Sequence, residues 1–386
     1  MTPAAEAILN SARARLATDS YHEFVKQAFA VLEPGTKFVD NWHIEYLCNT
    51  VQAHVHRVGR GEPKKRDLIV NIPPRSLKSY IMTICIVPWA WIHYPHMRFI
   101  CSSYGERLSI DLSTKARRIL QSPWYMGNWG DVVQLQKDQN QKLFYENSRT
   151  GARYSTSTGG LVTGKGAHIV IIDDPQDPKG ANSEKDRETS INFFTETLSS
   201  RLDDPGTGMF LVIQQRLHVS DLTGYLLERE GVKRWQHICI PAEDSNAVKP
   251  ERLRSYYQDG LMFPGRFTKK VLADLLDRLQ GRGYAGQYGQ SPKALEGNII
   301  KGPWFRRFKH QDLPSQFLVN FYVDTAYTKD TENDPFGILA FTVYDGQTFI
   351  LGYSKGWKEF PDFCKHLQDY TLEMGRTDAS RVWVEP

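Results

Sequence analysis

Cysteine and long apolar runs are both scarce in this 386-residue chain, and each scarcity excludes a class of protein. The five cysteines are scattered without CxxC spacing, which argues against a disulfide scaffold or a structural zinc site and favours a reduced, intracellular protein. The most apolar stretch, residues 80–92, is about 13 residues long and contains a proline, so it is too short to span a bilayer. The N-terminus shows no apolar segment with a cleavage site, so we expect no export signal.

The charge balance is close to neutral. The chain has 48 Lys and Arg against 44 Asp and Glu, a formal net charge of +4, which permits a nucleic-acid partner without requiring one. Hydrophobic residues make up 40% and charged residues 24% of the sequence, the values of an ordinary globular protein. At about 150 residues a domain, the length predicts two to three folded units.

Short apolar runs alternate with helical patterns over residues 40–245. Four of these runs are β-branched and bounded by turn residues, which predicts buried strands at 67–72, 98–104, 168–173 and 208–215. The helical patterns between them favour crossover connections, and so an α/β fold with a mainly parallel sheet. Residues 1–39 are expected to form a helical segment before this domain, and residues 246–314, rich in Pro, Gly and charge, a linker region after it.

A second pattern occupies residues 315–386. Three consecutive strands are followed by a helix at about 361–374 and by a short strand on which the sequence stops. We therefore expect a second, incomplete domain, and a natural protein longer than this chain.

The first predicted strand leads into a loop and a helix with the layout of a phosphate-binding loop. Lys78 and Ser79 stand at the start of the helix, where a lysine reaches the β- and γ-phosphates of a nucleotide and a hydroxyl takes a Mg²⁺ position. The pattern GxxxxGK[ST] would place glycine at positions 72 and 77, and this chain has Ile72 and Leu77 there. On the motif alone, a basic loop that caps a helix is an equally open alternative.

Polar side chains end the third and fourth predicted strands. Asp173 is placed to hold the Mg²⁺ of a nucleotide, and Asp174 could orient the attacking water. Gln214 could sense the γ-phosphate. A turn or cap would also explain the Asp pair, and an ordinary strand end would explain Gln214. Together with Lys78 and Ser79, the pair favours a nucleoside triphosphatase.

The loop and the motifs after it resemble the large subunit of phage terminases, the DNA-packaging motors of tailed bacteriophages. That family carries a variant phosphate loop of the form PPRxxKS, and residues 73–79 of this chain read PPRSLKS. The resemblance continues in order through five further segments: 158–179, 213–224, 261–272, 284–305 and 322–338. It implies a P-loop ATPase domain at 40–245 followed by an RNase H-like nuclease domain that is truncated here.

The resemblance also implies roles for residues of the ATPase site. Six loop residues would bind ATP: Pro74, Arg75, Ser76, Leu77, Lys78 and Ser79. Asp173 would hold Mg²⁺ together with Ser79. Asp174 would be the catalytic carboxylate, at a position where the family often has Glu.

Two further features of the ATPase site are open to interpretation. An arginine finger is expected, in ring motors often from a neighbouring subunit, and Arg187 and Arg201 are the candidates. Trp42 and His43, upstream of the loop, could contact adenine. A core tryptophan and a capping histidine are the alternative.

In the second domain, the resemblance implies hydrolysis of phosphodiester bonds by two Mg²⁺ ions, for which Mn²⁺ could substitute. Asp324 lies in the first strand and Glu385 at the end of the fourth. In the implied topology these strands are neighbours, so that the two carboxylates could share a metal. A further carboxylate would have to come from a later segment. The turn after the first strand carries three acidic residues that we expect to be solvated: Asp330, Glu332 and Asp334.

Contact with DNA in such a motor requires Lys and Arg directed at phosphates. Two clusters are candidates, residues 57–66 and residues 301–309, the second with interleaved aromatic rings. A third candidate is the helix at 109–120, which carries Lys115, Arg117 and Arg118. For each of them, a solvated charged face is the alternative.

The resemblance finally implies partners. The chain would use ATP to move double-stranded DNA through the portal protein into a procapsid, and would cut concatemeric DNA as an endonuclease. It would form a ring, expected to be a pentamer, and work with a small terminase subunit in the cytoplasm of the infected bacterial host, without a membrane. Two alternatives stay open: another nucleic-acid-dependent ATPase, such as a helicase or translocase, and a non-hydrolysing DNA- or portal-binding protein.

Overall fold

The structure is a computed structural model, which describes residues 2–162, 164–181, 183–292, 305–325 and 335–385. The chain divides into two compact units, Met1–Ala294 and Leu295–Pro386. This division falls inside the predicted linker region at 246–314. In the described part of the chain, every helix is too short or too polar to cross a membrane.

The first unit contains an eight-stranded, mainly parallel sheet. In chain order its strands are β1 (Asp67–Asn71), β2 (Arg98–Ser103), β3 (Leu135–Asn140), β4 (Phe144–Asn147), β5 (Ala152–Ser157), β6 (Ile169–Asp173), β7 (Met209–Gln214) and β8 (Trp235–Cys239). They lie in the order β3-β4-β5-β2-β6-β7-β1-β8. β4 runs antiparallel to both its neighbours, and the other paired strands are parallel. The predicted parallel sheet is thus confirmed, and the four predicted strands are β1, β2, β6 and β7.

Helices cover both faces of this sheet. They are α1 (Pro3–Asp19), α2 (Tyr21–Leu32), α3 (Trp42–Gly59), α4 (Ile86–His93), α5 (Glu106–Gln121), α6 (Pro123–Trp129), α7 (Glu184–Asn192), α8 (Leu222–Arg229), α9 (Gly231–Arg234), α10 (Lys269–Arg278) and α11 (Arg282–Gln287). Two π-helical turns precede α4 and follow α7, at Tyr80–Cys85 and Phe193–Leu198. Because β1, β6 and β7 are buried along their whole length, they read as continuous apolar runs in the sequence.

Alternate residues of the strands fill two separate cores. Leu211 and Ile213 of β7 face the first core, which α2 to α6 cover, whereas Phe210 and Val212 face the second core, under the second π-turn and α8. The helix after β1 lies over the first core. Side chains with the same parity as Ile213 therefore point towards the loop that precedes this helix.

Segments on both sides of the predicted ATPase domain pack into the first core. In α2, Tyr21 and Phe24 are fully buried there, and so are Met262, Phe263 and Phe267 from the predicted linker region. Helices α1 and α2 lie in the segment 1–39 that was predicted to be helical, but α1 leaves its apolar residues Ile8 and Leu16 exposed. The first unit thus extends on both sides beyond residues 40–245.

The second unit contains a four-stranded sheet and a helix. Its elements are β9 (Asn320–Asp324), β10 (Phe336–Tyr344), β11 (Gln347–Gly356), α12 (Phe360–Glu373) and β12 (Val382–Val384). The order is β11-β10-β9-β12, with β12 parallel to β9 and the other pairs antiparallel. This confirms the predicted arrangement of three antiparallel strands, a helix, and a strand that returns beside the first.

Candidate nucleotide-binding site

The loop between β1 and the following helix contains two left-handed residues. Arg75 has a φ of 64° and Leu77 a φ of 61°, which is the region where glycine avoids the steric clash of a Cβ atom. The phosphate-loop pattern expects glycine at position 77. The structure therefore shows that this chain forms the glycine conformation with a leucine, whose side chain packs against the first core.

Three hydrogen bonds hold the loop in this shape. Ser76 Oγ donates to Pro73 O at 2.5 Å, within the loop. His43 Nε2 donates to Ser76 O at 3.2 Å, and Arg266 Nη1 donates to Arg75 O at 2.7 Å. Two of the three donors thus come from distant parts of the chain. A strained backbone conformation persists only where surrounding contacts hold it in place, and these three hydrogen bonds are such contacts.

His43 supports the loop from the interior. Its side chain is fully buried, and Nδ1 accepts a hydrogen bond from Asn41 Nδ2 at 2.5 Å while Nε2 donates to the loop. Burial lowers the pKa of His43 to about 4, so the ring is neutral near pH 7. Because both ring nitrogens are engaged, His43 is not available to contact adenine.

The loop and the carboxylate pair meet at the carboxyl ends of the parallel strands. Lys78 Nζ lies 2.6 Å from Asp174 Oδ1, and Ser79 Oγ donates to Asp173 Oδ1 at 3.1 Å. Lys78 is only 6% exposed and Asp173 is fully buried. Two consecutive residues of the loop thus contact two consecutive carboxylates that lie more than ninety residues later in the sequence.

Asp173 lies in an environment that favours its neutral form. Burial and the neighbouring charge of Asp174 raise the pKa of Asp173 to about 6, against the opposing effects of Lys78 and two hydroxyl groups. The hydroxyls belong to Ser79 and Thr83, which donate to different oxygens of the carboxylate. A cation beside Asp173 would offset this cost of burying a charge.

Thr83 is a site residue that the sequence analysis missed. Its Oγ1 donates to Asp173 Oδ2 at 2.7 Å from the π-turn that opens the helix. The buried Arg153 donates from Nη1 to Thr83 O at 2.6 Å and so satisfies a carbonyl of this turn. Thr83 stands four residues after Ser79, and residues at this spacing share one face of a helix, which is the signal that could have found it.

Asp174 is held in a conformation that turns its side chain towards the loop. Its φ is 44°, its backbone N–H donates to Ile213 O at 2.8 Å, and its Oδ1 accepts from the backbone N–H of Gln215 at 3.2 Å. Strand β7 lies between β6 and β1, which explains how the end of β7 reaches Asp174.

The structure separates the two glutamines at the end of β7. By strand alternation, Gln214, the last residue of β7, points to the side of the second core, whereas Gln215 follows the strand and donates its backbone N–H to Asp174 Oδ1 at 3.2 Å. Both side chains are buried, and their Oε1 atoms have no hydrogen-bond partner within the described residues. The predicted sensor Gln214 therefore faces away from the loop, and Gln215 is the glutamine whose backbone contacts the site. Counting alternation from the Asp173 face would have indicated this.

The segment after β7 is organised by the fully buried Asp221. Its carboxylate pairs with Arg216 Nε at 2.9 Å and accepts from the backbone N–H groups of Leu217 and Gly224 at 3.0 and 2.9 Å. Gln290 Oε1 accepts from Arg216 N at 3.0 Å, which ties this segment to the end of the first unit. Movement at the end of β7 would therefore reach both α8 and residues 282–290.

The candidate arginines lie in different places. Arg75 is exposed in the loop itself. Arg187 donates to Ala181 O at 3.0 Å and lies in α7, whose Ser190 donates to Pro175 O at 2.9 Å, so it is at the same edge of the sheet as Asp174. Arg201 O accepts from Ala167 N, six residues before Asp173 and so about 20 Å along the strand. Within one chain, Arg201 is at the wrong edge to reach the loop.

Trp42 lines a cavity of about 560 Å³ beside the loop. Its ring stacks on Tyr256 at 5.3 Å with an interplanar angle of 17°, and its Nε1 donates to Met262 O at 2.9 Å. Trp42 and Gly265 line the cavity, and the residues that follow them in the sequence, His43 and Arg266, donate hydrogen bonds to the loop. The cavity therefore flanks the candidate phosphate site.

The predicted DNA-contacting residues are partly used for structure. Arg57 is buried and donates to the carbonyls of Glu62 and Thr207 at 3.0 and 2.8 Å, so it is not a surface contact. Lys115 pairs with Asp111 at 2.8 Å and Arg117 donates to Asn140 O at 3.0 Å, which leaves Arg118 exposed on α5. Of the cluster at 301–309, residues 301–304 lie outside the described residues, and the side chains of Arg306 and Arg307 line a cavity of about 850 Å³.

In the second unit, the two predicted metal ligands lie side by side. The register of β12 against β9 pairs Val384 with Val323 and continues to Glu385 opposite Asp324. Both side chains are exposed on the face away from the buried Phe321 and Val323. Among the residues that the structure describes, no group of three or more His, Cys, Asp or Glu forms a metal site. Asp330, Glu332 and Asp334 lie outside the described residues.

The chain has low similarity to solved structures of a phage large terminase. No family model and no curated protein matches the chain. Among solved structures, similarity is found to the large terminase of the thermophilic bacteriophage D6E. Its complex with ATP-gamma-S is 12% identical with a TM-score of 0.40, over 86% of this chain and 76% of that chain. The ADP complex and a second crystal form are 12% and 13% identical over 86% of this chain and 77% of theirs, with TM-scores of 0.36 and 0.38.

At these identities and scores, the assignment of function depends on the geometry of the site.

Proposed function

We propose that this chain is an ATP-hydrolysing motor of the phage large terminase type. The observation that carries the proposal is the meeting of Lys78 and Ser79 with Asp174 and Asp173 at the carboxyl ends of parallel strands. Ligands of open α/β sheets bind at this edge, and a helix N-terminus there favours phosphate. A basic loop that only caps a helix gives no reason for a carboxylate pair opposite its lysine and serine.

The residues present fit a Mg²⁺ ion. Ser79 Oγ and the carboxylate of Asp173 are hard oxygen donors, they lie 3.1 Å apart, and they would hold the ion. When bound, Mg²⁺ neutralises charge on the β- and γ-phosphate oxygens. Thr83 keeps the second oxygen of Asp173 oriented.

Lys78 changes partner when a nucleotide binds. Its ammonium group now bonds to Asp174, and phosphate oxygens would draw it to the β- and γ-positions. The released carboxylate of Asp174 then orients a water molecule for attack. The backbone N–H of Gln215 donates to Asp174, and its side-chain oxygen has no partner among the described residues. Gln215 would therefore respond to the loss of the γ-phosphate.

The cavity beside Trp42 is suited to the nucleobase. It flanks the loop, and the stacked rings of Trp42 and Tyr256 at its wall offer apolar surface to a planar base. Arg75, exposed in the loop, is placed for the γ-phosphate region. An arginine finger would come from Arg187 on the same edge, or from Arg201 of a neighbouring subunit in a ring.

The second unit is proposed to be the start of an RNase H-like nuclease domain. Asp324 and Glu385 lie on adjacent parallel strands and the same open face, as a shared Mg²⁺ or Mn²⁺ would require. A two-metal site would need a further carboxylate beside these two. Cutting of concatemeric DNA is proposed as the activity of this domain.

The remaining parts of the proposal come from the family resemblance. They are translocation of double-stranded DNA into a procapsid, docking on a portal protein, cooperation with a small terminase subunit, assembly into a ring, expected to be a pentamer, and action in the cytoplasm of the bacterial host.

The test is Mg²⁺-dependent ATP binding and hydrolysis over a series of protein concentrations, with and without double-stranded DNA. Lys78→Ala is compared with Lys137→Ala, which removes an exposed lysine of β3 at the far edge of the sheet. Hydrolysis that rises with concentration, is lost in Lys78→Ala and persists in Lys137→Ala is the expected result.

Other outcomes separate the alternatives. Equal hydrolysis in both variants would remove Lys78 from the mechanism. If the unmodified chain neither bound nor hydrolysed ATP, that result would favour a non-hydrolysing DNA- or portal-binding protein. Separation of DNA strands coupled to hydrolysis would favour a helicase.

A further inference from the structure

Two cavities beside strand β8 form one continuous groove, called the β8 groove below. Their volumes are about 410 and 360 Å³, and they share four lining residues: Tyr46, Arg66, Gln236 and Arg252. β8 is the edge strand of the eight-stranded sheet, next to β1. The groove therefore follows one lateral edge of the first unit.

Basic side chains dominate this groove. Lys65 lines the first cavity and Lys249 the second, whereas Arg66 and Arg252 line both, and all four side chains are exposed. None of them forms an ion pair with a carboxylate in the described ranges. The one lining carboxylate, Glu62, is already paired with Arg60 at 2.6 Å.

Two half-buried histidines line the groove, one in each cavity. The pKa of His54 is lowered by burial first, with Arg57 and Arg66 acting in the same direction against Asp67. Burial lowers the pKa of His237 to about 4, with added effects of Arg216 and Lys249. Burial therefore lowers the pKa of a histidine in each cavity, and nearby cations add to that effect.

We propose that the β8 groove binds the phosphate backbone of double-stranded DNA. The proposal rests on the proposed function, because it assigns a surface to the DNA that such a motor handles. Unpaired Lys and Arg along a groove attract regularly spaced phosphates without reading sequence. β8 spans five residues, about 16 Å, which is long enough to follow several phosphates of one strand.

The aromatic residues of the groove favour duplex over single-stranded nucleic acid. Single strands bind through exposed rings on which bases stack. Trp235 is fully buried with its Nε1 bonded to Glu230, and Tyr46 is half-buried. The groove thus offers charge to a backbone and no open ring to a base.

The test compares two matched double variants of the whole chain. Lys65→Gln/Arg66→Gln removes two cations from the groove, and Lys137→Gln/Lys142→Gln removes two exposed lysines at the opposite edge of the sheet, in and beside β3. Binding of a fluorescent 30-base-pair duplex of arbitrary sequence is measured by anisotropy over a range of salt concentrations. The slope of log K against log[salt] counts the phosphates contacted, at about 0.9 for each.

The groove variant should lose about 1.8 from the magnitude of this slope, and the control should keep the wild-type slope. Adding Lys249→Gln/Arg252→Gln should lower it by about as much again. Thermal unfolding and nucleotide binding of each variant show whether the fold and the nucleotide site are intact.

Three results would overturn the proposal. Equal slopes for the groove variant and the control would place DNA on another surface, while DNA binding itself and the proposed function would stand. Tighter binding of a single-stranded oligonucleotide than of the duplex would contradict the duplex assignment. If poly-glutamate bound as tightly as the duplex and lost as much affinity in the groove variant, the groove would be assigned to an acidic protein. Absence of duplex binding by the wild type at low salt would instead remove the DNA part of the proposed function.

Discussion

The ion pair between Lys78 and Asp174 leads to a prediction about nucleotide affinity that a purely catalytic role of Asp174 would not. The lysine that should bind phosphate is bonded to the carboxylate of Asp174 at 2.6 Å. A nucleotide must therefore compete with Asp174 for Lys78. Replacing Asp174 by Asn removes the competing charge and should strengthen nucleotide binding while it abolishes hydrolysis.

The size of the effect follows from the geometry. A hydrogen bond to a charged group contributes about 1.5–3 kcal/mol net, and Asp174 is partly exposed, at 21% of its side chain, so the lower part of that range applies. We expect Asp174→Asn to bind ADP and a non-hydrolysable ATP analogue about tenfold more tightly than the wild type. A fluorescent nucleotide titration measures the dissociation constants, and phosphate release measures hydrolysis.

Asp177→Asn is the matched control, because Asp177 lies three residues further along the same loop and its carboxylate accepts a local bond from the backbone N–H of Lys179. It should leave both affinity and hydrolysis near the wild-type values. Affinity of Asp174→Asn equal to or weaker than that of the wild type would refute the idea that Lys78 exchanges partners.

Three further predictions concern the loop and its support. Leu77→Gly should keep the free energy of unfolding within about 1 kcal/mol of the wild-type value. Leu77→Val should lower it by about 2 kcal/mol, because a β-branched residue does not tolerate a φ of 61°. Urea denaturation measures both values, and equal values for the two variants would contradict the role of the backbone. Burial of neutral His43 means that the unfolded chain binds more protons between pH 6.5 and about 4, so stability should fall by up to about 3 kcal/mol as the pH is lowered through this range. His43→Gln should remove that part of the pH dependence in denaturation curves, and an unchanged curve would argue against it. Gln215→Ala should lower kcat at least about tenfold, and Gln214→Ala should leave it near the wild-type value; the reverse order would show that the alternation of β7 was misassigned.

The central strands of the first unit could be predicted because their burial makes them continuous apolar runs. The apolar pattern did not predict β3, β4, β5 and β8, whose residues are mostly polar or mixed. β3 reads LQKDQN and is largely exposed at the sheet edge, so neither its hydrophobicity nor its alternation marks it as a strand. Such strands form because a neighbouring strand offers hydrogen-bond partners, which is a tertiary property.

The site was predictable as far as its residues follow strand ends and helix starts. Lys78, Ser79 and Asp173 follow from such positions, and the structure brings them together as expected. The supports of the loop were not predictable, since Arg266 reaches Arg75 O across 191 residues of sequence. Charge alone misled at Arg57, which lies in a basic cluster but donates to two carbonyls in the interior.

The division of the chain at residue 294 has a practical consequence for dissecting the protein. A fragment that ended at residue 245 would discard Met262, Phe263 and Phe267, and the apolar surface that they cover would meet water. It would also lose Arg266 and with it one of the bonds that shape the phosphate loop. Such a fragment should aggregate and bind nucleotide poorly, whereas one that ends near residue 292 keeps every wall of the first core and is the natural minimal unit for calorimetry and crystallisation.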